Sequence, residues 1–71
     1  MRVYKVSKDF GKKIQRVRRQ IGISQEELAE RVGVHRNHIG RIERGETNPP
    51  LPLIQKMAKV LKVSGKDLLP F

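Results

Sequence analysis

Apolar residues recur at helical spacing along most of the chain. Phe10, Ile14, Val17 and Ile21 follow at steps of four, three and four, one stripe of an amphipathic helix that should start near Ser7. Lys8, Lys12, Lys13, Arg16 and Arg19 fall off that stripe, and Gly22 is a natural stop. Ser24-Gln25-Glu26-Glu27 has the form of a capping box, in which Ser24 accepts from the Glu27 N–H and the Glu27 carboxylate reaches back to the N–H of Ser24. Ile23 is placed to pack on Leu28 as a staple. The second helix then turns Leu28, Ala29 and Val32 inward and stops at Gly33. Val34 and His35 lead into a third helix whose apolar pair is Ile39 and Ile42, ending at Gly45. After the loop Glu46-Thr47-Asn48-Pro49-Pro50, a fourth helix carries Leu53 or Ile54, Met57, Ala58 and Leu61 on one face. Ser64 can cap a last short helix with Leu68 and Leu69, and Pro70 stops it. A weak alternation at Val3, Tyr4 and Val6 is the sole strand signal, and there are no internal repeats. The expectation is an all-α fold of five short helices on one core, with residues 1–6 as an N-terminal arm and 7–71 as a single helix-turn-helix domain.

A short helix, a glycine turn and a second short helix can leave the second one poised on the surface. With about 100° per residue and the buried face of helix three centred on Ile39, Ile42 and Glu43, residues Asn37, Arg41 and Arg44 point the opposite way. Arg36 flanks them in the first turn. Arginine can pair bidentately with guanine O6 and N7, and asparagine with adenine N6 and N7. Gly40 leaves the middle of that face bare, either as a tolerated surface glycine or so that the helix backbone can come close to a groove. Two charged residues fall where apolar ones are expected: Glu43 beside Ile39, and Arg18 between Ile14 and Ile21. They are expected to pair where helices one and three meet. Gln25 lies at the first turn of helix two, beside backbone N–H groups that suit phosphate. Basic residues of helix one, Arg44, Thr47 and Asn48 are placed to hold flanking phosphates, contacts that set register without reading sequence.

A charged helix face is by itself most often a solvated one; the charge of the whole chain alters that judgement. Sixteen Lys and Arg stand against seven Asp and Glu in 71 residues, a net charge of +9, which attracts polyanions. The aromatics are one Tyr and two Phe, too few for the base-stacking platforms of single-strand binders, so duplex DNA is favoured. No segment approaches the ~20 apolar residues of a membrane helix, and the N-terminus lacks the apolar run of a signal peptide; a soluble, cytoplasmic protein with no membrane partner is expected. There is no cysteine. His35 and His38 have the i, i+3 spacing of a ligand pair, but no third ligand accompanies them, so no metal and no cofactor is expected. They read instead as base or phosphate contacts. Neither a nucleophile constellation nor a phosphate-binding glycine motif is present, which argues against an enzyme.

Ser24-Gln25-Glu26-Glu27-Leu28-Ala29, Gly33-Val34, Ile39, Ile42-Glu43-Arg44-Gly45, Asn48-Pro49, Ala58 and Leu61-Lys62-Val63 together resemble the Cro and lambda-repressor-like (XRE-type) helix-turn-helix family, over about residues 8 to 69. Within it, the run from Arg36 to Pro49 is similar to short stand-alone regulators, including restriction–modification controller proteins. The resemblance implies a compact five-helix DNA-binding domain and a transcriptional regulator that works as a homodimer on a near-palindromic operator. Carried over position by position, it assigns His35, Arg36, Asn37 and Arg41 to base contacts and Gln25 to a phosphate contact, beside the phosphate contacts that the residues themselves suggest for His38, Arg44, Thr47 and Asn48. Gln25 also buttresses helix three. Arg18 and Glu43 match a structural ion pair, and Leu68, Leu69 and Phe71 a dimer interface. Gly40 stands where many members carry a polar side chain, and His38 where Ser, Thr or Tyr is usual, so the operator cannot be borrowed from a relative. The alternative is an antitoxin or a protein-bridging module on the same fold, with a toxin or the transcription machinery as protein partner.

Overall fold

The computed structural model describes the backbone of residues 3–63 and the side chains of residues 8–63. The described elements are four helices: α1 (Val3–Ile21), α2 (Gln25–Val32), α3 (Arg36–Glu43) and α4 (Leu51–Leu61). The expected fifth helix, with Leu68 and Leu69, lies outside the described residues.

Helix α1 begins at Val3 rather than near Ser7, so the backbone of Val3, Tyr4 and Val6 is helical and not extended. Val3, Val6 and Phe10 are spaced by three and four, which continues the same helical rhythm; the alternation among them was too short to define a strand. Phe10 and Ile14 of α1 are buried, as are Leu28, Ala29 and Val32 of α2, Ile39 and Ile42 of α3, and Leu53, Met57, Ala58 and Leu61 of α4. They form one core, with Val17, Ile23, Val34, Ile54, Val60 and Val63 packed against it.

Helix α3 is wedged between α1 and α2, while α2 leans on α4. One glycine permits the α1–α3 approach. A Cβ at Gly11 would collide with the carbonyl oxygens of Ile42 and Glu43, so any larger residue would hold the helices apart.

Half of the capping box forms. The Ser24 hydroxyl accepts from the Glu27 N–H at 3.0 Å, but the Glu27 carboxylate accepts from Arg31 Nη2 at 2.6 Å instead of reaching back. At the other end of α2, Gly33 is left-handed (φ 81°), and both Gly33 and Val34 donate to the Ala29 carbonyl at 2.9 Å. This reversal spans three residues and launches α3 across α2.

The α4 start needs no side-chain cap. Pro50 precedes it in extended conformation and Pro52 lies in the first turn, where a missing N–H costs nothing.

Candidate nucleic-acid interface

Helix α3 is tied down from its inner side. Arg18 Nε donates to Glu43 Oε2 at 2.6 Å and Nη2 to Oε1 at 3.1 Å. The two side chains are 8 % and 1 % exposed. Gln25 Nε2 also donates to Glu43 Oε1, at 2.9 Å, and Gln15 Nε2 does so at 3.4 Å. The remaining arm of Arg18 donates to the carbonyl of Ile23 at 2.8 Å, in the α1–α2 turn. One guanidinium therefore links α1, the entry to α2 and the end of α3. A buried carboxylate demands this many donors, because an ion removed from water is tolerated only when its lone pairs are occupied. Among the described residues no buried side-chain nitrogen or oxygen lacks a partner.

The outer side is open. Gln25, Arg36, Asn37, Gly40, Arg41 and Arg44 line one shallow cleft of about 350 Å³. Arg36, Asn37, Arg41 and Arg44 are exposed, whereas Gln25 is half-buried. Gly40, expected as a bare spot, is itself buried: the Arg44 Nη1 atom and the Gln25 amide oxygen lie 3.1 and 3.8 Å from where its Cβ would stand. The bareness belongs to the side chain and not to the backbone, which sits at the bottom of the cleft between two polar groups. Gln25 is placed in that cleft by its amide nitrogen, which Glu43 accepts; this leaves its oxygen turned toward Gly40.

His35 plays a part that spacing did not predict. It is the N-cap of α3, its Nδ1 accepting from the Asn37 N–H at 3.1 Å. In the neutral ring the hydrogen is then on Nε2, on the far edge of the imidazole. Together with Arg36 and Asn37, His35 lines a second, larger depression bounded by Glu26, Glu27 and Glu30 of α2. His38 and Thr47 are half-buried and Asn48 is exposed, none of them in the cleft around Gly40. Leu68, Leu69 and Phe71, expected at a dimer interface, lie outside the described residues. No cluster of three or more potential metal ligands occurs among the described residues, and no described helix is long and apolar enough to cross a membrane.

Sequence reasoning missed Glu46. The Gly45 residue is left-handed (φ 76°), and the Glu46 N–H returns to the Arg41 carbonyl at 2.9 Å while that of Gly45 reaches Ile42 at 3.0 Å, the double closure of a Schellman motif. This fold-back carries the Glu46 carboxylate to Arg44, with Nε at 2.8 Å and Nη2 at 3.4 Å, and to Arg41 Nε at 3.9 Å. The Arg44 hydrogen bond, together with the charges of Arg44 and Arg41, holds the Glu46 carboxyl below its ordinary range, and the same bond raises Arg44. Gly45 was the available signal, since a left-handed residue at a helix end returns its successor to the last turn.

Comparison with known proteins agrees with this geometry. Residues 14–68 match the model of the helix-turn-helix family HTH_3. The control protein C.BamHI of Bacillus amyloliquefaciens is 44% identical over 63 residues, covering 87% of this chain and 78% of that protein. The regulator SinR of Bacillus subtilis is 40% identical over 61 residues, covering 84% of this chain and 55% of SinR. The crystal structure of the restriction–modification controller protein C.AhdI from Aeromonas hydrophila superposes with a TM-score of 0.92 at 33% identity, over 97% of this chain and all of that one. The chain thus belongs to the HTH_3 helix-turn-helix family of DNA-binding transcriptional regulators.

Proposed function

We propose that this chain regulates transcription by binding a near-palindromic operator as a homodimer, each copy seating α3 in a major groove. The observation that carries the reading is the division of α3: Ile39, Ile42 and Glu43 are buried in the bundle while Arg36, Asn37 and Arg41 stand exposed on one side. Arg36, Asn37 and Arg41 are the base readers in this scheme, with the outer edge of His35 beside them. Arg44, His38, Thr47 and Asn48 hold phosphates. Gln25 has a dual role, its amide nitrogen fixing Glu43 and its oxygen bordering the path of the backbone. The likeness to control proteins of restriction–modification systems supports a controller role within that general function. Dimer contacts are assigned to Leu68, Leu69 and Phe71.

Selection of bound sequences from a random duplex pool tests this directly. The expected product is a two-fold-related pair of short motifs whose centres lie about one helical turn apart, ~34–36 Å. Enrichment of no sequence, or of a single unpaired motif bound by a monomer, would overturn the reading.

A further inference from the structure

The Glu46 carboxylate is out of place by two separate criteria. It lies just past the C-terminus of α3, where the helix macrodipole disfavours negative charge. It also lies beside Arg41 and Arg44, on the surface assigned to a polyanion, in a chain of net charge +9. Neither helix stability nor attraction to phosphate accounts for an acid there. The backbone nevertheless fixes it: the hydrogen bond from the Glu46 N–H to the Arg41 carbonyl sets the residue against the last turn. Its pairing is asymmetric. Arg44 is gripped by hydrogen bonds through Nε and Nη2, whereas Arg41 comes no nearer than 3.9 Å, at its Nε. Arg41 makes no hydrogen bond to the carboxylate and its side chain is exposed, so its donors remain available for the fork that meets guanine O6 and N7.

We propose that Glu46 is a specificity-determining positioning residue, which steadies Arg41 for base reading and competes with phosphate for Arg44. The proposal rests on the assignment of α3 to the major groove. On a non-cognate duplex the arginines move to the nearest phosphates. On either duplex Arg44 must leave the carboxylate for its phosphate, but on a non-cognate duplex Arg41 must leave it as well, toward phosphates that the carboxylate repels. On the cognate site Arg41 remains near its free-state position, so Glu46 opposes the complex less. The carboxylate thus weakens non-cognate binding more than cognate binding, and it does so with no base contact of its own.

The test measures affinity for two probes, a random-sequence duplex pool and the duplex that the wild-type protein enriches from it, across a salt series. Glu46→Gln keeps the shape and removes the charge. The expected result is an affinity for the random pool raised about two- to fivefold, the range of an exposed ion pair. Affinity for the enriched duplex should rise less, so that the ratio between the two falls. The salt dependence on random duplex should steepen by about one counterion, as Arg44 becomes available to a phosphate. In an Arg41→Ala background the effect of Glu46→Gln on that ratio should largely vanish. Three outcomes would overturn the proposal: an unchanged ratio, a change of ratio that persists without Arg41, or a loss of affinity confined to one base pair, which would make Glu46 a reader of cytosine. Failure of the groove assignment itself has a different signature, because then Arg41→Ala and Arg44→Ala would each leave both affinities unchanged.

Discussion

Arg18 and Glu43 show how a charged pair can fix orientation with little net stabilisation. Bringing both ions out of water offsets most of their attraction, yet removing either one strands the other. Glu43→Ala should therefore destabilise the fold by about 3–5 kcal/mol, a large part of the stability of a domain this small. Replacing both, with Arg18→Met and Glu43→Leu together, should restore most of the loss; urea denaturation of the single and double variants decides it, and additive losses would mean that the pair is not the unit. The pair was legible because each residue interrupts an apolar stripe, and periodicity marks such interruptions. Glu46 was legible only through Gly45, because its reach depends on the backbone conformation there, which no hydrophobic pattern reports. Among the exposed residues, Arg41→Ala or Arg36→Ala should weaken cognate binding by ~1–3 kcal/mol and relax preference at one base pair. Gel shifts against cognate and scrambled duplexes at one salt concentration check this, and an equal loss on both would make these residues phosphate holders.

At the level of elements, repetition of apolar residues located α1 to α4, and glycines located most of the ends. What repetition could not supply was the start of α1 and the cap of α3. Nothing in the side-chain pattern stops α1 short of Val3, and His35 is an unusual cap whose ring nitrogen replaces the customary hydroxyl or carboxylate. His35→Ala should then reduce stability by about 0.5–2 kcal/mol, as loss of a cap does, in addition to any effect on DNA; thermal melting without DNA isolates the first part. Gly11 sets two opposing effects against each other. Alanine there gains about 1 kcal/mol of helix propensity, but its Cβ meets two backbone carbonyls of α3, Ile42 and Glu43, which cannot swing aside as a side chain can. Overpacking of this kind costs about 1–3 kcal/mol, so Gly11→Ala should lower the denaturation midpoint. A raised midpoint would show that α1 can shift along α3 freely.

Charge is distributed unevenly over the whole molecule. Helix α2 carries Glu26, Glu27 and Glu30, while α1 and α3 hold most of the described basic residues. Affinity for duplex DNA should consequently fall steeply with salt as condensed counterions are released, and a flat response would remove phosphate contacts from the account. The proposed homodimer should sediment as such at micromolar concentration or form on the operator; a monomer in both conditions would contradict it. The inward ties of α3 have one more consequence. Arg18, Gln15 and Gln25 hold it through Glu43, and Ile39 and Ile42 through the core, so residues 36, 37 and 41 carry almost none of the scaffold's stability. Exposed positions of this kind tolerate exchange within about 0.5 kcal/mol. The same bundle can therefore be retargeted by a few substitutions, and relatives with matching skeletons are free to address unrelated operators.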